Sequence, residues 1–338
     1  MRIEWIDTLK GFAMLMVILG HVVQGYQVAG FFPQYAVYLN GLFDGIYSFH
    51  MPLFFMVSGY LYEMTWNENK NASWERIHHK FWDMMILYIV FSLLFWSIKT
   101  LAAAHVQMNH IISVEELLMI PVAPLSYLWF LYVLMALFVI VPVMVQRVKQ
   151  KGILFAIFTV GYLLMGDVGI VGRIFYGGFY FVLGNWLRQR NLETMMVRPK
   201  RELLLIGISI CAINIIKYVD GGGQDNLLHD VLIAVSASYV IWYAAIEWRD
   251  KNACTIVRFL RFCGEQSLEL YLLHVYFVGF FRTAFQKLDM GDPVLCILLG
   301  TVLSMAGSLL IACLCRKVPG FSFLFHPADL LRQYRLIR

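Results

Sequence analysis

Charge is scarce in this chain. Asp, Glu, Lys and Arg make up 14% of its 338 residues, against about 25% in an average soluble domain. Hydrophobic residues account for 60% and aromatic residues for 16%, with a mean hydropathy of +0.68. A water-soluble fold of this size could not hide that much apolar surface, and a disordered chain needs the opposite balance, so both are excluded together with a basic nucleic-acid binder. The six cysteines make no framework: Cys211, Cys296, Cys313 and Cys315 lie in apolar runs, and Cys254 and Cys263 fall in one basic connector. No CxxC or Cys/His spacing suits zinc, so neither a disulfide scaffold nor a metal site is expected. There is no P-loop, HExxH, GxSxG elbow or dinucleotide fingerprint. No small-residue cleavage site follows the first apolar run, which therefore reads as an uncleaved span. With no long linker and no clear repeat, residues 1–338 are expected to form a single transmembrane domain without a separate soluble one.

What the sequence does contain is long apolar runs. A span needs about 20 mostly apolar residues. Such runs lie near 11–28, 44–64, 81–103, 125–146, 152–167, 170–187, 202–219, 229–248, 267–287 and 293–315. The expectation is an all-α, polytopic integral membrane protein with about ten transmembrane helices. With the N-terminus inside, Lys99, Arg173, Lys217, Arg282 and Lys287 fall on outer segments, and the other 22 of the 27 basic residues fall inside. That bias places both termini in the cytoplasm, in a cell membrane. Pro52 within 44–64 removes a backbone donor and predicts a kinked or broken helix there.

Ionisable groups inside a membrane are expensive and mark candidate sites. Lys10 and His21 are eleven residues apart, close to three helical turns, so they share a face about 16 Å apart. Asp7 lies on nearly the same stripe and can pair with Lys10. A snorkelling lysine with a structurally bonded histidine would give the same pattern. His50, beside Pro52, and Ser58-Gly59 mark a second wall, or a packing kink. Tyr127 and Trp129 open the fourth span, where such residues are usually membrane-belt anchors. In the ninth span, Ser267 is placed to cap the helix and Glu269 to favour its N-terminus, whereas His274 has no such structural excuse. Three intramembrane histidines, two of them with nearby carboxylates, suit general acid–base chemistry. They suit a proton-coupled transporter or flippase equally well, and spacing does not choose between them.

These residues fall in a recognisable order: Asp7-x-x-Lys10-Gly11, Gly20-His21, Phe49-His50-Met51-Pro52-Leu53-Phe54-Phe55 with Ser58-Gly59-Tyr60, Trp129-Phe130-Leu131, and Gly264-x-x-Ser267-x-x-x-Tyr271-Leu272-x-His274. Over essentially the whole chain the order resembles the membrane acyltransferase-3 family. The Asp-x-x-Lys-Gly opening looks most like its fucose 4-O-acetylase-related branch. Many members carry arginine where this chain has Lys10, so the charge is kept but the bidentate fork is lost.

The resemblance implies transfer of an acyl group, usually acetyl, from cytoplasmic acyl-CoA to a hydroxyl of a cell-surface or lipid-linked carbohydrate. It implies no metal and leaves room for a homo-oligomer or a non-sugar acceptor. It makes His21 the candidate catalytic base and Lys10, with Asp7, its basic partner at the cytoplasmic entrance. His50 would stand near the reaction centre, where it or Glu269 orients the base or steadies the oxyanion. A covalent acyl-histidine relay stays open. Trp129, Tyr127, Ser58 and His274 are candidate substrate contacts. Arg76, Lys80, Arg258 and Arg261, with Lys10, are the candidates for the CoA phosphates.

Overall fold

The computed structural model describes residues 3–68, 70–103, 112–148, 151–190, 205, 207–209, 212, 227–249, 254–317 and 325. Every regular element among them is helical. In chain order these are α1 (Glu4–Ala29), α2 (Ala36–Tyr47), α3 (His50–Glu68), α4 (Lys70–Ala103), α5 (Val114–Leu118) and α6 (Trp129–Arg147). There follow α7 (Lys151–Met165), α8 (Gly169–Gln189), α9 (Leu227–Glu247), α10 (Thr255–Glu265), α11 (Ser267–Lys287) and α12 (Pro293–Lys317).

The expectation of about ten spans is overturned. Six helices among the described residues are long and apolar enough to cross a membrane: Glu4–Ala29, Ile77–Ala103, Ser126–Arg147, His229–Glu247, Ser267–Lys287 and Pro293–Lys317. The run 44–64 is divided between α2 and α3 by a turn at Ser48 and Phe49. Pro52 explains the position of that turn, because the carbonyl it cannot satisfy, four residues back, is that of Ser48. The run 152–167 becomes α7, whose 15 residues reach only about 22 Å, short of the bilayer's hydrocarbon core of about 30 Å. The run 170–187 becomes α8, long enough but diluted by glycines, Arg173, Asn185 and Arg188. Most of 202–219 lies outside the described residues. The inside–outside charge count presupposed ten spans and does not transfer to six.

A membrane setting is legible in α12. Its buried face carries Cys296, Gly300, Thr301, Ser304 and Ser308, while Val294, Leu298, Val302 and Leu310 stand exposed. Small and polar residues packed inward with aliphatic residues outward is the arrangement that lipid favours.

Backbone contacts group the chain into two compact units, residues 1–57 with 190–314 and residues 58–189 with 315–338. In the first unit α1 is the hub, packed by α10, α11, α2 and α9. Met14, Val17, Ile18, Val22, Val23 and Tyr26 of α1 form its core with Leu270, Val278, Phe285, Cys296 and Ile297. The approach of α1 to α10 is lined by glycine from both sides: a Cβ at Gly11 would fall on the Leu260 carbonyl, and one at Gly264 on the Asp7 carbonyl. Arg261 closes the same crossing, with Nη1 2.6 Å from Glu4 Oε2. Trp5 meets Trp242 of α9 with ring centroids 5.6 Å apart. In the second unit α6 packs on α4 and α8, and α7 pairs with α8. Tyr62 lies against Phe138 and Phe181, and the buried Glu63 carboxylate accepts from Asn185 Nδ2 at 2.6 Å.

Candidate active site

The contacts along α1 fix how its neighbours run. Asp7 meets Gly264, and His21 meets His274, so α11 rises parallel to α1. Tyr47 reaches His21 and Gln24, while Asn40 accepts from Gln27 Nε2 at 2.7 Å, so α2 runs antiparallel to it. His21 is half-buried where these two neighbours converge. Its ring centroid lies 5.1 Å from that of His274 and 6.2 Å from that of Tyr47. Tyr47 in turn meets His50 edge-on, centroids 4.6 Å apart. The structure therefore brings His21, His50 and His274 into one cluster, in which Tyr47 links His21 to His50 and His274 meets His21 directly.

The partners of the rings define their protonation. A backbone carbonyl only accepts, so Nδ1–H of His50 donates to Ile46 O at 2.7 Å and Nδ1–H of His274 donates to Leu270 O at 3.0 Å. His21 Nδ1 lies 3.1 Å from Gln24 Oε1, which also accepts, at 3.4 Å, from the Tyr47 hydroxyl. In each neutral ring Nε2 therefore carries the lone pair. Gln24 and Tyr47 were not among the sequence candidates. Gln24 does follow His21 by three residues, a helix spacing that lets side chains meet, whereas Tyr47 is brought in only by the return of α2.

Asp7 and Lys10 pair as their spacing predicts, with Nζ 2.8 Å from Oδ1 and Asp7 buried. Both lie inside α1, which begins seven residues before the expected span. Glu269 is buried in the first turn of α11. It stands about 140° around that helix from His274, so the two do not share a face. Ser267 does not cap α11; it is the first helical residue, with Gln266 in the cap position and no side-chain cap. Arg258 is exposed and reaches Thr255 Oγ1 at 3.5 Å. Arg261 binds Glu4 and, at 3.3 Å, the Arg249 carbonyl.

The remaining candidates belong to the second unit. Tyr127 is buried with its ring against Phe95, and Trp129 lies under the Arg173 guanidinium at 5.0 Å. Ser58 is half-buried on α3, and Lys80 Nζ sits 4.1 Å over the Phe138 ring. The Arg76 side chain lies outside the described residues. Among the described residues no group of three or more His, Cys, Asp and Glu is placed to hold a metal ion. Outside the six spans, half-burial of Asp44 on α2 pushes its carboxyl above the usual carboxylate range.

The structure thus combines an integral-membrane helical fold with a histidine cluster on the stripe of α1 that begins at Asp-x-x-Lys-Gly. The chain belongs to acyltransferase family 3, whose acyltransferase-domain profile matches residues 3–313. It is similar to the nodulation protein NolL of Sinorhizobium fredii (strain NBRC 101917 / NGR234), with 27% identity over 236 residues, which are 68% of this chain and 60% of that protein. The chain thus matches less than two thirds of that relative's length. Neither finding singles out the fucose 4-O-acetylase-related branch. No solved structure matches the chain significantly.

Proposed function

We propose that the protein moves an acyl group, acetyl foremost, from cytoplasmic acyl-CoA to a hydroxyl of a cell-surface or lipid-linked carbohydrate, the acceptor class that the resemblance to the family implies. The observation that carries this reading is His21, half-buried between Tyr47 and His274 with Nδ1 turned to Gln24. Its Nε2 takes the proton of the acceptor hydroxyl as that oxygen bonds to the thioester carbonyl carbon. The C–S bond then breaks, and the thiolate that leaves on CoA recovers the proton from His21.

His50 and His274, with Nδ1–H held by backbone carbonyls, offer only a lone pair at Nε2. They accept from acceptor hydroxyls and orient them, and in the neutral form they do not donate to an oxyanion. The Tyr47 hydroxyl is the donor next to His21, able to turn from Gln24 to the developing charge. Lys10, about 16 Å below His21, and its partner Asp7 hold the donor entrance. In this reading both termini are cytoplasmic, which is supported by the basic residues Lys10 of α1 and Arg316 and Lys317 at the end of α12, since cations favour that side.

Protein purified into lipid is expected to consume radiolabelled acetyl-CoA and pass label to a carbohydrate acceptor. Protein that binds neither acetyl-CoA nor succinyl-CoA would overturn the reading and favour transport. Gln24 gives a finer check. Gln24→Ala frees the His21 ring to rotate and should slow transfer by about tenfold to a hundredfold, with the KM for acetyl-CoA unchanged. A wild-type kcat in this variant would remove Gln24 from the mechanism.

A further inference from the structure

Arg282 lies on α11, one of the six apolar spans, five residues before its final Lys287. Its side chain turns onto α1. A Cβ at Gly25 would stand 3.4 Å from Arg282 Cδ, so the glycine leaves room for the arginine stem. Arg282 Nη1 donates to the Gly25 carbonyl at 3.4 Å. Gly25 is four residues after His21, on nearly the same face and about 6 Å further outward. The guanidinium therefore stands on the opposite side of His21 from Lys10.

This cation has no counter-charge among the described residues. Its Nε is buried and without a hydrogen-bond partner there. Around it, the Tyr26 hydroxyl donates to the Cys296 carbonyl at 3.3 Å. Asp292 is exposed, and its Oδ1 caps α12 by accepting from Val294 and Leu295 N–H. On α2, half-buried Asp44 lies one turn outward of Tyr47, at the level of α1 between Gln24 and Gln27, and its carboxylate makes no ion pair with Arg282 or any other described residue. A guanidinium held in an apolar span without an anion is unfavourable, and its planar fork fits a phosphate or carboxylate in two parallel hydrogen bonds. One helical turn is also the order of a sugar ring's width, so one acceptor can reach both His21 and Arg282.

We propose that Arg282 is an anion-binding residue on the acceptor side of the site, taking a phosphate or carboxylate of the acceptor while the hydroxyl to be acylated faces His21. The proposal rests on the acyl-transfer reading for the identity of the ligand as acceptor. Asp44 supplies a hydrogen-bond acceptor for the acceptor's other hydroxyls. The acceptor class narrows to anionic carbohydrates, sugar phosphates or uronic acids, free or lipid-linked.

The test uses the full chain in phosphatidylcholine nanodiscs, with glucose 1-phosphate and glucuronic acid as probes and glucose as the neutral control. At saturation an anionic probe is expected to raise the melting temperature by about 3 °C, and glucose to leave it unchanged. Arg282→Gln should lose the shift, and Arg282→Lys, which keeps the charge without the fork, should retain part of it. Monodisperse elution checks that each variant folds. An equal shift in Arg282→Gln, or no shift with either anion in the wild type, overturns the proposal. A stabilisation obtained only when phosphatidylglycerol replaces phosphatidylcholine assigns the guanidinium to a lipid headgroup and overturns it too. Acetyl-CoA binding by Arg282→Gln should match the wild type. If the wild type itself binds no acyl-CoA, the acyl-transfer reading fails, while anion binding is still decided by the Arg282 comparison alone.

Discussion

Replacing His21 with alanine is expected to lower acyl transfer by about 100- to 10,000-fold without unfolding the protein. The size follows from the proposed role: the general base is lost, and neither neighbouring histidine occupies its position between α2 and α11. Retention of the fold follows from the packing. His21 is half-buried, and its described contacts are polar or ring–ring contacts with Gln24, Tyr47 and His274, whereas the core of α1 is built from other positions. The measurement is label transfer from acetyl-CoA by monodisperse wild type and variant. His50→Ala and His274→Ala should fall less, because they orient the acceptor hydroxyl. Acetyl-CoA binding should persist in all three. Transfer that survives intact in folded His21→Ala would sink the assignment and move attention to His274, whose ring is next in line.

The second large effect concerns the glycines. Gly264→Ala and Gly11→Ala should each destabilise the first unit by about 1–3 kcal/mol or more. The added methyl would meet backbone, the carbonyls of Asp7 and Leu260, and not the movable end of a side chain. The helices must then separate, and the Arg261–Glu4 pair at 2.6 Å and the Trp5–Trp242 contact would be pulled apart. Because both methyls enlarge the same crossing, the double variant should cost less than the sum of the singles. Thermal unfolding of each variant in lipid reads this out. Wild-type melting in both single variants would mean that α1 and α10 do not cross as closely as described. Reduced transfer is expected alongside, since Asp7 and Lys10 lie at the same crossing.

The two predictions join motifs far apart in the chain. Gly11 in Asp-x-x-Lys-Gly and Gly264 in Gly-x-x-Ser are the two halves of one contact, which neither motif alone reveals. Sequence spacing did give the Asp7–Lys10 pair and the common face of Lys10 and His21, because a helix converts separations of three and eleven residues into neighbours on one stripe. The same reasoning marked His50 and His274 as unusual, since an imidazole has little place in an apolar run. It did not single out Tyr47, and it took Arg282 only as an outer-end charge. Their significance comes from what packs on them: α2 returning to His21, and glycine at position 25 leaving space for a guanidinium.

Composition and local periodicity by themselves determined that this is an all-helical membrane protein and that His21 and His274 lie in apolar spans, because low charge and long apolar runs act over a few turns of helix. The number of long spans was decided only by the tertiary structure. A run of apolar residues reads alike whether it is a full span, as in 267–287, or too short to cross, as in 152–167; the run 44–64 carried a local signal, Pro52, for the turn that divides it. Where a run ends depends on unsatisfied backbone groups and on the surfaces available to receive it. The gathering of His274 and, through Tyr47, of His50 onto His21 was decided there too, by residues up to 253 positions apart in sequence, whose order in space no local pattern records.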